Sequence, residues 1–251
     1  MEQPPSSTVL PIAGYVLAGG RSSRMGSDKS FLHLAGKPLI EHGVGKLRRI
    51  CAAVHILGSN PALAPYAPLV EDLHPGNGPL GGIEAALAHT THDWNLILPV
   101  DVPFFPTALL YARARSMLRS GPVGVRMAMF TVRGVPQPAL LLVHREVAPY
   151  IARAVAEGQR KLFFVLEAAA CEIDGGIAPT ERESAIRKAG VDAMALEDIH
   201  WGEPGFSANS PGEPWQRTAE AQQRNQHLWF ANLNTPADFA EAEAHLDALD
   251  T

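Results

Sequence analysis

Cysteine is nearly missing from this chain, which has only Cys51 and Cys171 among its 251 residues. Two cysteines so far apart match neither a disulfide scaffold nor a common zinc-binding spacing. Scarce cysteine is typical of proteins that work in a reducing compartment. We therefore expect a cytoplasmic protein without structural disulfides or zinc.

The chain also lacks long hydrophobic runs and an excess of positive charge. No apolar stretch approaches the roughly 20 residues that cross a bilayer. Residues 1–8 contain no cationic region ahead of an apolar segment, as a secretion signal would. Lys and Arg number 21 against 26 Asp and Glu, and the net charge of −5 does not suit nucleic-acid binding. We expect neither a membrane nor a nucleic acid as a partner.

What is present is apolar sequence in short alternating segments. Hydrophobic residues make up 46% of the chain and charged residues 19%, which is ordinary for a globular protein. Apolar runs predict strands at 12–17, 54–57, 95–100, 123–130 and 139–143. Helical spacing predicts helices at 38–51, 82–89, 106–119, 145–157 and 160–170. This alternation predicts a three-layer α/β/α fold with a mostly parallel, Rossmann-like sheet.

The predicted organisation is a single domain at residues 11–251 behind a flexible, Pro- and Ser-rich tail at residues 1–10. Residues 174–226 are rich in Gly, Pro, Glu, Gln and Ser, and we interpret them as an extra loop-rich segment. Periodicity returns beyond that segment. Thr235 is placed as an N-cap and is followed by proline, which predicts a final helix that runs to about Leu249.

The most informative segment is a glycine-rich, basic loop that follows the first predicted strand. Residues 17–29 read LAGGRSSRMGSDK. Gly19 and Gly20 lack a Cβ, so the backbone there can take a positive φ and approach a ligand closely. Successive backbone N–H groups in such a turn bind anions, and Arg24, Lys29 and a further arginine add three positive charges. The segment predicts a polyphosphate site; an ordinary solvated loop is the alternative.

Two common phosphate-binding signatures do not fit this loop. A P-loop has glycine directly before its lysine, whereas Asp28 precedes Lys29 here. A dinucleotide-binding fingerprint needs the spacing G-x-G-x-x-G, whereas the glycines here stand at 19, 20 and 26. Neither a P-loop NTPase nor a Rossmann dehydrogenase is therefore favoured.

A carboxylate follows another predicted strand. The apolar run 95–100 ends at Asp101, and Pro103 turns the chain immediately afterwards. Ligands of open α/β sheets bind beyond the carboxyl ends of the strands, so we expect Asp101 near the 17–29 loop. A carboxylate beside a polyphosphate is suited to hold Mg²⁺. An acid that caps the next helix is the alternative interpretation of Asp101.

The 17–29 loop resembles the L-A-G-G-x-S-x-R-M-G-x-D-K signature of nucleotidyltransferases, most closely that of the molybdenum cofactor guanylyltransferase family. All ten fixed positions of the pattern are met. The resemblance implies an enzyme that transfers GMP from GTP to a phosphorylated acceptor, molybdopterin, giving the guanine dinucleotide cofactor and pyrophosphate. It also implies Mg²⁺ as cofactor and other proteins of molybdenum cofactor biosynthesis as partners.

The resemblance further implies which loop residues bind the nucleotide. The main chain at the start of the loop would contact GTP, and this stretch comprises Leu17, Ala18, Gly19 and Gly20. Arg24 and Lys29 would neutralise the triphosphate, and Asp101 would bind the metal ion and the nucleotide. Catalysis would then rest on Arg24, Lys29 and Asp101.

A second glycine-rich turn follows a short apolar stretch. In the family that the chain resembles, an acidic residue ahead of a G-P-L-x-G turn contacts the nucleotide, which implies this role for Asp72. The turn at 78–82, with Gly81 inside it, would form part of the base pocket. A solvent-facing acidic pair, Glu71 and Asp72, is the alternative.

The acceptor side matches the family less well. The basic turn 158–161 and the pair Asn232 and Asn234, predicted two apart on a strand and so on one face, are similar to family motifs near the acceptor or metal. Ordinary helix-entry chemistry is the alternative for the asparagines. Residues 135–138 read VPQP where the family has a His-Pro pair, and residues 174–226 intervene before the second motif.

Other functions therefore stay open at this point. A cytidylyltransferase for the same pterin is the nearest alternative, although such relatives tend to have alanine at the position of Gly19. A sugar-phosphate nucleotidyltransferase is another. A nucleotide-binding accessory protein without turnover is the alternative of a different class, and the release of pyrophosphate would distinguish it from an enzyme.

Overall fold

The computed structural model describes residues 9–18, 28–120, 124–176, 194–199 and 218–250. Its strands are β1 (Leu10–Leu17), β2 (His33–Leu34), β3 (Lys37–Pro38), β4 (Cys51–Leu57), β5 (Leu69–Val70), β6 (Trp94–Pro99), β7 (Met127–Val132), β8 (Val135–His144) and β9 (Met194–Ile199). Its α-helices are α1 (Leu39–Arg48), α2 (Pro79–His89), α3 (Thr107–Ser120), α4 (Ala148–Ala156), α5 (Leu162–Ile173), α6 (Glu220–Arg224) and α7 (Pro236–Ala244). None of these helices is both long and apolar enough to cross a membrane.

The central sheet has the order β5-β4-β1-β6-β8-β7-β9 within the described residues. Strands β5, β4, β1 and β6 run parallel to one another. β8 is antiparallel to both of its neighbours, and β9 is parallel to β7. Since β8 alone runs against the other six strands, the prediction of a mostly parallel sheet is confirmed. Strands β2 and β3 form a separate short hairpin between the glycine-rich loop and α1.

Hydrophobic cores lie on both faces of the sheet, as β1 illustrates. Ile12 and Val16 face a core that contains apolar residues of α1, α3 and α7. Tyr15 and Leu17 face a second core, formed with α2, α4 and α5. Successive side chains of a strand point to opposite faces, so one apolar strand supplies both cores. The predicted three-layer α/β/α architecture is confirmed.

Two predicted helices extend too far. The helix predicted at 38–51 ends at Arg48, and β4 begins at Cys51. Cys51 pairs with Leu10 of β1, so the apolar run after the helix satisfies its backbone in the sheet. The final helix predicted to about Leu249 ends at Ala244, and a separate 3₁₀ turn follows at Leu246–Ala248.

Most of the other predicted strands and helices are recovered with shifted ends. The strand predicted at 123–130 is observed as β7, Met127–Val132. The strand predicted at 139–143 is observed as the longer β8, Val135–His144. The predicted loop-rich segment 174–226 contains β9 and α6 among its described residues. Most of the predicted N-terminal tail lies outside the described residues, and Leu10 already belongs to β1.

Candidate active site

Four parallel strands end at one edge of the sheet and place the candidate site there. Backbone hydrogen bonds continue across these ends: Ala18 N–H donates to the carbonyl of Leu57 at 3.1 Å, and Val100 N–H donates to that of Leu17 at 3.2 Å. Gly58 N–H likewise donates to the carbonyl of Val70 at 3.1 Å. The loops that follow β1, β4, β5 and β6 therefore start side by side, where open α/β sheets bind their ligands.

The loops after β1, β4 and β5 and their neighbours line a cleft of about 890 Å³, and the loop after β6 is not among its lining residues. Its lining residues come from the ends of β1, β4 and β5, from the start of α2 and from the turn before α5; they are Leu17, Ala18, Asp28, Leu57, Gly58, Ser59, Asn60, Leu63, Glu71, Asp72, Pro75, Gly76, Gly78, Gly82 and Arg160. A cleft of this volume falls within the range of small-molecule sites. Of the predicted nucleotide-binding residues, Leu17, Ala18 and Asp72 lie directly on its wall.

Lys29 and Asp101 meet at one end of this edge. The Lys29 Nζ atom lies 3.6 Å from Asp101 Oδ2, and both side chains are about one-quarter exposed. Lys29 Nζ also donates a hydrogen bond to Asn234 Oδ1. The structure thus brings together three residues that were predicted from distant parts of the sequence. Gly19, Gly20 and Arg24, predicted for the same loop, lie outside the described residues.

Asp101 does not cap the helix that follows it. The first amide of α3, Thr107 N–H, instead donates to Asp250 Oδ2 at 2.6 Å. The main-chain carbonyl of Asp101 accepts a hydrogen bond from Leu233 N–H at 3.0 Å, which ties this turn to the C-terminal segment. The capping alternative for Asp101 is therefore wrong, and its carboxylate points toward Lys29.

The chemistry of these groups fits a hard divalent cation bound together with phosphate. Among the described residues no group of three or more His, Cys, Asp or Glu side chains forms a complete metal site. Mg²⁺ does not need one, because it usually binds through one or two carboxylates and takes further ligands from substrate phosphates and water. A single partly exposed carboxylate, that of Asp101, meets this requirement.

Asp72 lies against the start of α2, where two glycines pack closely on their neighbours. A Cβ atom on Gly81 would come within 3.5 Å of Asp72 Oδ2 and 3.4 Å of the His74 carbonyl oxygen. A Cβ atom on Gly82 would come within 2.8 Å of Leu17 Cδ1, so a larger residue there would displace β1's last side chain. Burial, followed by the negative charge of Glu84, raises the pKa of the Asp72 carboxyl group. Asp72 thus packs beside the first turn of α2.

The loop between β5 and α2 is held by contacts that the sequence did not indicate. His74 Nδ1 lies 2.9 Å and 3.1 Å from the two carboxylate oxygens of the buried Glu84. Arg160 Nη1 donates to the Gly76 carbonyl at 3.1 Å, so the predicted basic turn 158–161 reaches the cleft wall. These contacts fix the loop that carries Asp72. Histidine and glutamate ten residues apart give no local sequence signal for this pair.

The prediction that Asn232 and Asn234 lie on a strand is wrong. The chain there is irregular, and the N–H groups of Asn234 and Thr235 both donate to Asp238 Oδ2, at 2.8 and 2.7 Å. Because the capping box of α7 takes up these amides, they cannot join a strand ladder. Asn234 reaches Lys29, whereas Asn232 is exposed and offers its carbonyl to Asn234 Nδ2 at 3.3 Å.

Asp28 and Asn60 were missed as site residues, although both line the cleft. Asp28 is one of the ten fixed positions of the loop pattern, but its place before Lys29 predicts only that the loop is not a P-loop. Asn60 Nδ2 donates to Asp28 Oδ2 at 2.9 Å. The Asn-Pro pair at 60 signals a turn, and only the fold shows which residue that turn faces.

The comparisons with known proteins agree with this geometry. A family model described as the MobA-like NTP transferase domain matches residues 14–171. The chain is similar to the molybdenum cofactor guanylyltransferase of Serratia proteamaculans, with 36% identity over 165 residues that cover 63% of this chain and 80% of the relative. The enzyme of that name from Xanthomonas euvesicatoria is 44% identical over 103 residues, covering 40% of this chain and 52% of the relative.

Solved structures show the same fold at low sequence identity. The molybdopterin-guanine dinucleotide biosynthesis protein A of Archaeoglobus fulgidus superposes with a TM-score of 0.64 at 21% identity, covering 94% of this chain and all of that one. A putative glucose-1-phosphate thymidylyltransferase of Bacillus anthracis superposes with a TM-score of 0.61 at 12% identity, covering 96% and 97% of the two chains. The matched family model spans most of the cleft, and on this basis the chain belongs to the MobA-like NTP transferases, a family of nucleotidyltransferases.

Proposed function

We propose that this enzyme transfers GMP from GTP to the phosphate of molybdopterin and releases pyrophosphate. The observation that carries the proposal is the Lys29–Asp101 pair, whose charged groups lie 3.6 Å apart at the sheet edge where four parallel strands end beside the cleft. The proposal is supported by the curated relatives, which are named molybdenum cofactor guanylyltransferases.

The strand order suggests how GTP would lie. Asp72 and Gly58 follow β5 and β4, whereas Lys29 and Asp101 lie beyond β1 and β6, so the cleft runs across neighbouring strands. We place the guanine near Asp72 and the start of α2, and the triphosphate toward Lys29. An ionised carboxylate near the base can accept hydrogen bonds from the N–H groups on guanine's Watson–Crick edge.

The chemistry asks for positioning and charge stabilisation more than for covalent work by the protein. An oxygen of the acceptor phosphate attacks the α-phosphorus of GTP, the new P–O bond forms, and the bond to the leaving pyrophosphate breaks. Lys29 would stabilise negative charge on the phosphates, together with Arg24 and the backbone N–H groups of Gly19 and Gly20. Bound Mg²⁺, held by Asp101, would supply further charge neutralisation.

The Lys29–Asp101 contact would prepare both groups for this ligand. A partly exposed ion pair is worth only about 0–1 kcal/mol, so exchanging it costs little. A magnesium–triphosphate unit offers a cation to Asp101 and anionic oxygens to Lys29, so each group would keep an opposite charge beside it. In this proposal the two side chains lie close to their substrate-binding positions before GTP binds.

On the acceptor side we propose Arg160, Asn232 and Asn234 as contacts for the phosphorylated pterin. Arg160 supports this proposal because it lies on the cleft wall, and Asn234 because it contacts Lys29. We also propose a cytoplasmic location, which is supported by two buried free thiols, Cys51 and Cys171. Other proteins of molybdenum cofactor biosynthesis are the proposed partners.

A thermal-shift screen tests the choice of nucleotide. GTP, CTP, ATP and UTP are each added with Mg²⁺, and GTP should give the largest rise in melting temperature, since a ligand at 100 times its Kd adds about 2.7 kcal/mol. Equal shifts with all four nucleotides would contradict guanine recognition. Pyrophosphate release is then measured with molybdopterin present. GTP binding without any release would identify an accessory protein in place of an enzyme.

A further inference from the structure

The carboxylate of Asp28 lies where a negative charge is unfavourable. Asp28 lines the same cleft in which we place a triphosphate, and it directly precedes Lys29. A negative charge there repels the phosphates, so its presence calls for a structural reason. Its hydrogen bonds show what that reason is.

Both oxygens of the Asp28 carboxylate accept hydrogen bonds. Oδ1 accepts from the backbone N–H of Ser30 at 3.0 Å, and Oδ2 accepts from Asn60 Nδ2 at 2.9 Å. Asn60 is itself fixed in orientation, because its Oδ1 accepts from the backbone N–H of Ala62 at 3.1 Å. The side-chain amide therefore has only one arrangement that satisfies both contacts, with its NH₂ group toward Asp28.

These contacts set the start of the turn that carries Lys29. Asp28 is the N-cap of the 3₁₀ helix Lys29–Phe31, and its carbonyl accepts from Phe31 N–H at 3.1 Å. Ser30, the middle residue of that turn, is fully buried. With the start of the turn held in this way, Lys29 Nζ lies 3.6 Å from Asp101 Oδ2.

We propose that Asn60 is a positioning residue, which acts through Asp28 to hold Lys29 at the triphosphate. This proposal rests on the proposed function, since it gives Lys29 its role. The Asp28–Asn60 clamp, defined by the 2.9 Å hydrogen bond, joins the loop after β4 to the end of the glycine-rich loop. It links the wall near the base to the cation near the phosphates, and it keeps the Asp28 carboxylate engaged by protein donors.

A swap of the two side chains tests the clamp. In Asn60→Asp two carboxylates face each other. In Asp28→Asn the side chain has only one acceptor oxygen, so it cannot accept from both Ser30 N–H and Asn60 Nδ2. Each single variant therefore breaks the clamp. The double variant D28N/N60D restores it: the amide at position 28 accepts from Ser30 N–H and donates to the carboxylate at 60, which still accepts from Ala62 N–H. All three hydrogen bonds are kept with the charge on the other side.

Two readouts are measured on the full-length protein. We expect each single variant to lower kcat/KM for GTP about tenfold, which is the usual size for loss of a hydrogen bond to a charged group. The double variant should recover to within about threefold of the parent. Hydrogen exchange of the backbone amides at 30–32 should be faster in both single variants and return to the parental rate in the double variant.

Asn225→Asp is the matched control. Asn225 Nδ2 donates to the carbonyl of Ala221 at 3.0 Å, at the end of α6, and neither residue lines the cleft. This variant makes the same chemical change and should leave kcat/KM for GTP unchanged. Any general effect of exchanging asparagine for aspartate would appear in it.

Three results would overturn the clamp: single variants with parental kcat/KM, exchange at 30–32 that no single variant alters, or a double variant that stays as impaired as the singles. The last result would mean that Asp28 or Asn60 contacts the substrate directly. If the parent enzyme releases no pyrophosphate from GTP, the proposed function fails, and the exchange measurement still decides whether the clamp orders the Lys29 turn.

Discussion

Two lysine–aspartate pairs in this molecule have similar geometry and different roles. Lys29 lies 3.6 Å from Asp101, with both side chains about one-quarter exposed, at the sheet edge that also carries the cleft. Lys46 lies 3.3 Å from Asp250, with no exposed surface on the lysine side chain. The second pair closes the C-terminus onto the core, since Asp250 also caps α3 and contacts Arg49. The two Nζ–Oδ2 distances are similar, so it is burial and additional partners that distinguish a structural pair from one that a ligand can reach.

The environment of Lys46 explains its structural role. Its Nζ donates to the Phe105 carbonyl at 3.0 Å, and burial lowers the pKa of Lys46 to about 8 even though Asp250 opposes the shift. A charge held at such a cost depends on its partner. Lys29, in contrast, keeps about one-quarter of its side chain exposed beside Asp101, so under the proposed function it can be reached by phosphate oxygens.

The largest expected effect is on catalysis at Asp101. Asp101→Asn removes the charge that would hold Mg²⁺, so Mg²⁺-dependent pyrophosphate release should fall about a thousandfold. The unliganded melting temperature should stay near the parental value, because Asp101 does not cap α3. Asp93→Asn, an exposed acid paired with Arg145, is the control and should keep full turnover. Near-parental turnover of Asp101→Asn at ordinary Mg²⁺ concentrations would show that Asp101 does not hold the metal ion.

The second effect is on stability at the other pair. Asp250→Ala leaves the Lys46 charge buried without its carboxylate and uncaps α3, so we expect a loss of about 3 kcal/mol in the free energy of unfolding. Turnover per folded molecule should be unchanged, since Asp250 neither lines the cleft nor contacts Lys29 or Asp101. Denaturant titration checks this, with Asp247→Ala, an exposed acid nearby, as the control. Equal stability of the two variants would contradict the structural role of the pair.

The third effect is the reverse of the second: turnover falls and stability is kept. Lys29→Ala should lower kcat/KM for GTP about a hundredfold, as the loss of a charge-assisted contact to phosphate predicts, and should barely change unfolding without ligand. Lys37→Ala is the matched control, because Lys37 is exposed and pairs with Glu41. A large loss of stability in Lys29→Ala with normal GTP affinity would make Lys29 a structural residue like Lys46.

The smallest effect is the pH dependence of stability. The pKa of Lys46 is about 8 in the folded protein and ordinarily 10.5, so between these values the unfolded chain binds more protons. The free energy of unfolding should therefore rise with pH in this window, by about 1.5 kcal/mol from pH 8 to 9.5. Denaturant titration of the parent and of Lys46→Met separates this rise from other groups. A parent whose stability changes with pH just as that of Lys46→Met does would contradict the shift.

The fold was predictable from sequence wherever one apolar run forms one buried element. β1 and β6 are nearly continuous apolar runs, and they appear where they were expected, with Asp101 beyond the end of β6. The helix that was predicted at 38–51 failed at its end because the following apolar residues pair with β1. Periodicity alone does not distinguish a helix's last turn from the start of the next strand.

The site was predictable where a local pattern names its chemistry. Lys29 and Asp101 were expected together, because the carboxyl ends of parallel strands meet. The Asp28–Asn60 clamp and the His74–Glu84 pair were not, since each depends on how two loops face each other. The contact of Asp250 with Lys46 could not be predicted either, because the two residues are 204 positions apart in the chain.

The central claim is that an acceptor phosphate attacks the α-phosphorus of GTP in this cleft. The most direct measurement follows separately labelled GTP, with the label at the α- or the γ-phosphorus, incubated with the enzyme, Mg²⁺ and molybdopterin. We predict that the α label enters the pterin product and that the γ label leaves in pyrophosphate. Transfer of the γ label to the acceptor, or its release as orthophosphate with no α label in the product, would contradict the account.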